Sequence, residues 1–200
     1  MEHYYSRKQK SSLKIKKIIC AIGGEKFEFF TSGGIFSKDR IDKGTLVLAE
    51  SMFMEKDAKV LDIGCGMGVL GIAAARIFQA NVVMSDVNER AVMLARKNIK
   101  LNNVDCKIFQ GSLYEKITDN DFDLVLSNPP QTAGKNICFE LIEQSKNFLR
   151  KGASLQLVAR HNKGGKTLSR KMQDVFGNVE VIAKKSPYFV YMSMKKENES

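Results

Sequence analysis

Downstream of Lys59 the chain alternates between short apolar runs and longer amphipathic segments. Each apolar run has the length of a buried strand, and the runs cover residues 59–63, 81–86, 104–110, 122–127 and 153–160. Each amphipathic segment repeats apolar residues at helical spacing, and these segments cover residues 69–79, 88–102, 135–149 and 165–175. Alternation of this kind predicts an α/β fold in which helices cover both faces of a mostly parallel sheet.

The residues before this alternation have the pattern of a small β-rich attachment. Two strand-like runs, 13–22 and 27–30, flank the turn signal Gly23-Gly24 and predict a hairpin. A helix is expected over 44–54. We therefore expect a flexible basic tail over residues 1–12, followed by a hairpin and helix (13–54) that pack on the core.

The C-terminal region has a second hairpin pattern. Two strand-like runs lie on either side of Pro187 and predict strands over 178–184 and 188–194. Such a hairpin adds antiparallel strands to an otherwise parallel sheet. We assign residues 55–195 to one α/β domain, which suits a chain of 200 residues.

Polar residues mark the ends of three predicted strands. Asp62 and Asp86 each lie near the end of a strand, and Ser127 ends a third. In open parallel sheets, ligands bind beyond the carboxyl ends of the strands, where the strand order reverses. Their shared placement predicts one site at that edge.

A glycine-rich turn follows the first of these strands. Its glycines let the backbone bend sharply and let a ligand lie against it, and the free N–H groups of the next helix favour polar or negative ligand groups. Gly66, Gly68 and Gly71, with Asp86 about 20 residues further on, match the dinucleotide fingerprint. A nicotinamide dinucleotide is therefore one of two candidate cofactors.

A second motif, Ser127-Asn128-Pro129-Pro130, follows the strand 122–127. Amide nitrogens and amino nitrogens on aromatic rings are poor nucleophiles, because their lone pairs are conjugated. The side-chain oxygen of Asn128 and the carbonyl of Pro129 can each accept one N–H and so hold such a nitrogen in a fixed orientation. Consecutive prolines fix the backbone and remove competing donors. The motif resembles the Asn-Pro-Pro motif of methyltransferases that act on amino or amide nitrogens, and this resemblance implies that Asn128, Pro129 and Pro130 are the catalytic residues.

Composition narrows the function classes. Hydrophobic residues make up 44% of the chain, which is enough for a substantial core. The four cysteines form no Cys-x-x-Cys pair, so neither a disulfide framework nor a zinc site is indicated, and no metal is expected. No apolar signal core follows Met1 and no run has the length of a membrane span. We therefore expect a cytoplasmic protein without a membrane partner.

The net charge of +10 favours a polyanionic partner, RNA or DNA. Arginines and lysines concentrate in two segments that contain no acid, 7–17 and 150–172. Lys135 and Lys163 follow the presumed site and are candidates for phosphate contacts.

These motifs resemble those of class I S-adenosylmethionine-dependent methyltransferases. Asp62-x-Gly64-x-Gly66-x-Gly68 is similar to the first motif of that family, and Asn128-Pro129-Pro130 is similar to the motif of members that methylate amino or amide nitrogens. The resemblance implies S-adenosylmethionine as cofactor and a Rossmann-like sheet of seven strands, the last of them antiparallel. It also implies that Asp62 lies near the methionine part and that Asp86 binds the ribose hydroxyls. The implied cofactor-binding residues are Asp62, Gly64, Cys65, Gly66, Gly68, Asp86, Val87, Ser112, Leu113, Asn128 and Thr45.

The segment before the glycine turn narrows the resemblance. Gly34-x-Phe36-Ser37, followed by Asp42-x-Gly44-Thr45, resembles the opening segment of the ribosomal RNA guanine-N2 methyltransferases. The match implies that Phe36 and Thr45 line the site and that the acceptor is a guanine N2 in ribosomal or transfer RNA, free or in a ribosomal particle. Residues 128–135 and 172–180 are most similar to compact archaeal members of that family.

The residue after the Asn-Pro-Pro motif departs from related enzymes. Methyltransferases for adenine N6 and protein glutamine N5 usually have Tyr or Phe there, whereas this chain has Gln131, which can hydrogen-bond a base edge. The difference favours guanine over both alternatives. A non-catalytic RNA-binding module and a nicotinamide oxidoreductase are further alternatives. The intact motifs argue against the module, and Asn-Pro-Pro has no role in the oxidoreductase.

Overall fold

The computed structural model describes residues 14–33, 40–129 and 134–196. Its strands are β1 (Ile15–Ile22), β2 (Glu25–Ser32), β3 (Lys59–Ile63), β4 (Asn81–Asp86), β5 (Cys106–Gln110), β6 (Phe122–Ser127), β7 (Leu149–Arg160), β8 (Glu180–Lys185) and β9 (Tyr188–Met194). Its helices are α1 (Lys43–Ser51), α2 (Val69–Ile77), α3 (Glu89–Leu101), α4 (Lys135–Phe148) and α5 (Lys166–Phe176), and an irregular turn, His161–Gly165, precedes α5.

The main sheet has seven strands in the order β5-β4-β3-β6-β7-β9-β8, which confirms the predicted fold class. The first five are parallel, and β9 runs antiparallel to both β7 and β8. The N-terminal hairpin of β1 and β2 forms a separate two-stranded sheet. The chain passes to opposite sides of β3 when it builds β4 and β6, so the carboxyl ends of β3 and β6 border the crevice where ligands bind in such sheets.

Several strand boundaries differ from the prediction. β1 begins at Ile15 rather than at residue 13, β2 spans Glu25–Ser32 rather than 27–30, and β8 spans Glu180–Lys185 rather than 178–184. Two further differences have a cause in the packing. The strand expected over 153–160 begins at Leu149, directly after α4, because the buried Leu149 pairs with the buried Phe122 before the register shifts. The strand expected from residue 104 begins at Cys106. Helix α3 ends at Leu101, and the residues that follow form its terminal turn, in which the N–H of Val104 donates to the carbonyl of Ile99 (3.3 Å).

Each face of the sheet has its own apolar core. One core lies under α1, α2, α3 and the N-terminal hairpin, where Phe27, Leu48 and Ile72 are fully buried. The other lies under α4 and α5, where Ile142 and Met172 are fully buried. In the described part of the chain, no helix is long and apolar enough to cross a membrane.

Two asparagines of α3 fasten the hairpin to the core. Asn98 accepts from the N–H of Phe30 (2.6 Å) and donates to its carbonyl (3.0 Å), and Asn102 pairs in the same way with Glu28. Asn98 also donates to the carbonyl of Met67 (2.9 Å) in the glycine turn. A buried amide that satisfies three backbone groups fixes β2 and the glycine turn relative to each other.

Candidate active site

The glycine turn between β3 and α2 is built for close approach on one side and for tight packing on the other. Gly64 has φ +70°, and nothing lies within 4 Å of the point where a Cβ would be. A Cβ on Gly68 would press on Ile72, and one on Gly71 would lie 2.6 Å from the sulfur of Met84. The open side at Gly64 can therefore receive a ligand, whereas Gly68 and Gly71 let α2 pack against the sheet.

Asp62 lies at the base of this turn and is completely buried. One carboxylate oxygen accepts from the N–H of Gly71 (3.0 Å), and the other, Oδ1, has no hydrogen-bond partner. Burial, and to a smaller extent the charge of Asp86, raise the pKa of Asp62 to about 7 against the opposing effect of the Gly71 hydrogen bond. A buried acceptor without a donor is rare in a folded protein and is expected where a ligand supplies the donor.

Asp86 lies at the end of β4, beside the glycine turn. Its carboxylate accepts from the N–H of Gly66 (2.8 Å) and from the N–H of Asn88 (2.8 Å). The N-cap of α3 is Asn88, whose side chain accepts from the first turn of that helix. Asp86 is therefore not the helix cap, and its carboxylate instead joins the strand end to the glycine turn.

The loop after β5 is held by β4. The hydroxyl of Ser85 donates to the carbonyl of Leu113 (2.9 Å), and Leu113 itself is buried in the core with φ +46°. Ser112 is exposed, and its N–H donates to Glu115. Of these two predicted cofactor contacts, only Ser112 presents its side chain at the surface.

Two other predicted contacts lie between these elements. Cys65 is nearly buried, and burial holds the pKa of its thiol well above the usual value, so the thiol stays neutral. Val87 is half-buried, immediately after Asp86. Both residues lie on turns at the same edge of the sheet as Asp62 and Asp86.

Asn128 follows β6 at the same edge of the sheet, and its side chain is oriented by two partners. Its Nδ2 donates to Oδ2 of Asp42 (2.9 Å) and to Oγ1 of Thr45 (2.8 Å). A carboxylate accepts and does not donate, so the amide must present its NH₂ group to Asp42. The oxygen Oδ1 of Asn128 then faces away from this pair and can accept a hydrogen bond from a substrate.

Asp42 holds this arrangement together from the start of α1. The same oxygen, Oδ2, accepts from the N–H of Thr45 (3.1 Å) and makes Asp42 the N-cap of the helix. A Cβ on Gly44 would lie 2.9 Å from that oxygen and 3.0 Å from the ring of Tyr188, so only glycine fits between them. The family resemblance of Asp42-x-Gly44-Thr45 predicts Thr45 as a cofactor contact. In the structure Asp42 and Thr45 both accept hydrogen bonds from Asn128.

The register of the sheet brings these groups to one edge. Asp62 is opposite Leu126 on β6, so Asn128 lies just beyond the level of Asp62. The hydroxyl of Ser127 donates to the carbonyl of Ile63 (2.8 Å) and locks the two strand ends together. The glycine turn, two carboxylates and the amide of Asn128 therefore lie at one edge of the sheet.

The remaining predicted residues lie further out or outside the described part of the chain. Pro129 is buried directly after Asn128. Lys135 is exposed at the start of α4, with its ammonium over the ring of Phe139, and Lys163 is exposed in the turn after β7. Three predicted residues lie outside the described ranges: Pro130, Gln131 and Phe36.

Comparison of sequences finds one family and many relatives. The profile of the family described as Methyltransferase small domain matches residues 26–192. The protein YbxB of Bacillus subtilis, uncharacterized by its name, is 33% identical over 97% of this chain and 98% of its own length. The Ribosomal RNA small subunit methyltransferase C of Hamiltonella defensa is 32% identical over 82% of this chain. This chain spans about half the length of that enzyme, 49%.

Comparison of structures agrees on the fold. The 16S rRNA N2 methyltransferase RsmC of T. thermophilus, solved in complex with AdoMet and guanosine, superposes with a TM-score of 0.81 and 23% identity. The match covers 93% of this chain and 52% of that one. A methyltransferase from Pyrococcus furiosus superposes with a TM-score of 0.65 at 22% identity, over 72% of this chain and 78% of that one.

Proposed function

The chain belongs to the methyltransferase small domain family, and we propose that it transfers a methyl group from S-adenosylmethionine to the exocyclic N2 of a guanine in RNA. Ribosomal RNA is the proposed acceptor, with transfer RNA as the second RNA class. The kinship with compact archaeal members that the sequence motifs imply remains a prediction.

The observation that carries the proposal is the fixed orientation of Asn128. Its NH₂ group is held by Asp42 and Thr45, so only its oxygen Oδ1 is available to a substrate. A planar amino group offers two N–H hydrogens, and Oδ1 and the carbonyl of Pro129 can each accept one. The nitrogen is then held with its face toward the methyl donor, and reaction needs this positioning more than a strong base.

The crevice fits the cofactor. Asp62 has a buried oxygen, Oδ1, that lacks a donor, and the α-amino group of S-adenosylmethionine is a donor of the required kind. The open side of Gly64 leaves room for the cofactor to lie against the backbone. The carboxylate of Asp86, at the end of the next strand, would accept from the ribose hydroxyls after exchanging its present backbone partners.

In the proposed reaction the cofactor supplies the methyl group, and residues of the chain orient the acceptor nitrogen. S-adenosylmethionine supplies a sulfonium methyl group, whose bond to sulfur breaks as the bond to the acceptor nitrogen forms. Asn128 and Pro129 orient the acceptor, and as the nitrogen gains the methyl group it becomes more acidic. Its proton then leaves to water, so no strongly basic side chain is required.

The titration of Asp62 gives a pH prediction. Its pKa in the ligand-free protein is raised to about 7, so the carboxyl is mostly protonated below that pH and ionised above it. A cofactor ammonium favours the ionised form, and binding therefore releases a proton below pH 7. We expect affinity for S-adenosylmethionine to rise about tenfold between pH 6 and pH 8. Calorimetric titrations across this range measure it, with the Asp62→Asn variant as the control. An equally steep pH dependence in that variant would exclude Asp62 as its cause.

The Asp42–Thr45 pair gives a second prediction. Thr45→Val removes one acceptor for Nδ2 of Asn128 and keeps the shape of the side chain, so kcat should fall about tenfold while cofactor affinity is unchanged. Thr45→Ser keeps the hydroxyl and should retain most activity. Asp42→Asn keeps the helix cap, since Asn caps as well as Asp, and should also lower kcat. If Thr45→Val and Thr45→Ser have the same rate constants, the hydroxyl does not orient Asn128.

The acceptor class can be tested directly. Purified protein and labelled S-adenosylmethionine are incubated separately with ribosomal RNA, assembled ribosomal subunits, transfer RNA and total protein. We expect the label in an RNA fraction, and a difference between free RNA and assembled subunits would identify the form of the substrate. Label confined to protein would contradict the proposal and favour a glutamine amide as acceptor.

A further inference from the structure

The ends of β7, β8 and β9 form a wall that extends past the active site. Ser127, the last residue of β6, is opposite Leu157 on β7, and β7 continues for three more residues to Arg160. At a strand rise of about 3.3 Å per residue, the wall reaches about 10 Å beyond the end of β6. Arg160 pairs with Tyr188, and Tyr188 pairs with Lys185 across the hairpin.

Tyr188 connects this wall to the residues that orient Asn128. Its ring lies 3.0 Å from the point where a Cβ on Gly44 would be, and Oδ2 of Asp42 lies 2.9 Å from the same point. That oxygen is also the one that accepts from Asn128. Tyr188 is half-buried, and the exposed guanidinium of Arg160 lies over its ring, 5.6 Å from the centroid. An aromatic ring and an exposed arginine therefore lie together near Asp42, the residue that orients Asn128.

Hydrogen bonds and ring stacking around His161 fix the strand ends that form this wall. Nδ1 of His161 forms a 2.7 Å hydrogen bond with the hydroxyl of Tyr191, and the His161 ring stacks on Phe189 with centroids 4.1 Å apart. The N–H of His161 donates to the carbonyl of Pro187 (2.9 Å), which ties the turn after β7 to the hairpin. A surface held in this way is ordered before a ligand binds, so less entropy is lost on binding.

The charge of the wall suits a polyanion. The segments 160–173 and 181–196 contain no acidic residue. Exposed cations at the site end of these segments, or on the neighbouring helix starts, are Lys43, Lys135, Arg160, Lys163, Lys166, Lys184 and Lys185. Lysine and arginine around an aromatic ring are the arrangement that binds unpaired nucleic acid, since bases stack on the ring and phosphates bind the cations.

We propose that Tyr188 and Arg160 form the stacking surface for the base of the methylated nucleotide, and that this nucleotide is unpaired in the bound RNA. The inference rests on the proposed function, because it takes RNA as the substrate. Tyr188 would supply the stacking ring that this chain lacks after the Asn-Pro-Pro motif. Gln131 follows that motif here, at the sequence position where related enzymes have an aromatic residue. A paired base would be covered on both faces by its neighbours and its exocyclic amine would be engaged, so it must leave the helix to reach Asn128.

The test measures RNA binding without methyl transfer. The probe is a labelled unstructured RNA of about 16 nucleotides, compared with its own duplex by fluorescence anisotropy in the presence of S-adenosylhomocysteine. We expect tighter binding of the single strand. Tyr188→Leu should weaken it about tenfold, and Tyr188→Phe should leave it unchanged because the stacking ring remains. Arg160→Gln should reduce the slope of log affinity against log salt by about 0.7, whereas Lys97→Gln, an exposed cation on α3, should not.

Each alternative outcome would overturn the inference. If the duplex binds as tightly as the single strand, the surface recognises the shape of the RNA backbone rather than unpaired bases. Normal RNA affinity in Tyr188→Leu, with a reduced kcat, would mean that Tyr188 only supports Gly44 and the Asp42 cap. A failure of the proposed function would be seen in a different assay, the labelling of RNA and protein fractions by the unaltered protein. Label in protein rather than in RNA would indicate that failure.

Discussion

Replacing Asn128 by alanine is expected to lower kcat for methyl transfer by about 10²–10³-fold and to leave the affinity for S-adenosylmethionine unchanged. The side chain contacts Asp42 and Thr45 through Nδ2 and keeps Oδ1 for the acceptor amine, so its loss removes an oriented hydrogen bond at the reacting nitrogen. Single-turnover methyl transfer measures the rate, and calorimetry measures cofactor binding.

Two companion variants separate orientation from structure. Asn128→Asp places a second carboxylate beside Oδ2 of Asp42, at the 2.9 Å position now occupied by a donor, and should be equally inactive because like charges repel there. Asn102→Ala removes a buried amide that anchors the hairpin at Glu28, away from Asn128, and should lower thermal stability more than kcat. A large fall in cofactor affinity in Asn128→Ala, with little change in kcat, would mean that Asn128 serves the cofactor site instead.

Replacing Asp86 by alanine should have the opposite effect, with a large fall in cofactor affinity and a small fall in kcat. Affinity for S-adenosylmethionine is expected to fall about a hundredfold, because two charge-assisted hydrogen bonds to a ribose diol are lost, at about 1.5 kcal/mol or more each. At saturating cofactor, kcat should fall far less. Equilibrium binding and transfer rates at high cofactor concentration measure the two effects.

The present contacts of Asp86 define the control. Its carboxylate accepts from Gly66 and Asn88, and the cap of α3 is Asn88, so Asp86→Ala leaves the helix cap in place. Asp174→Ala, an exposed acid on α5, serves as the matched control. Retained cofactor affinity in Asp86→Ala would show that the carboxylate only joins β4 to the glycine turn.

The parts of the fold that could be predicted are those encoded locally. The strands 59–63, 81–86 and 122–127 have the predicted bounds, because each is a short apolar run that ends at a glycine turn or a polar residue. The glycine turn and Asp62 were identified for the same reason, since their spacing is read along one stretch of chain. Boundaries failed where long-range pairing decided them, as at Leu149, whose strand begins early because it pairs with Phe122.

The parts that were missed depend on residues far apart in sequence. Asp42 and Asn128 are 86 positions apart, and only the folded sheet shows that they share a hydrogen bond. Asn98 is a polar residue on the apolar face of a predicted helix, which was a signal for a buried polar contact, yet its partners on Phe30 and Met67 are set by tertiary structure. Tyr188 lies in a terminal hairpin whose pattern gives no indication that its ring reaches Gly44.

The measurement that tests the central claim most directly is the identity of the methylated nucleoside. RNA labelled by the unaltered protein is digested to nucleosides, which are separated and identified by mass spectrometry, with Asn128→Ala as the parallel reaction. The account predicts label in N2-methylguanosine, and none with the variant. Label in N6-methyladenosine, or on a ring nitrogen of guanine, would contradict it, because Asn128 and Pro129 would then not be holding the exocyclic amine of guanine.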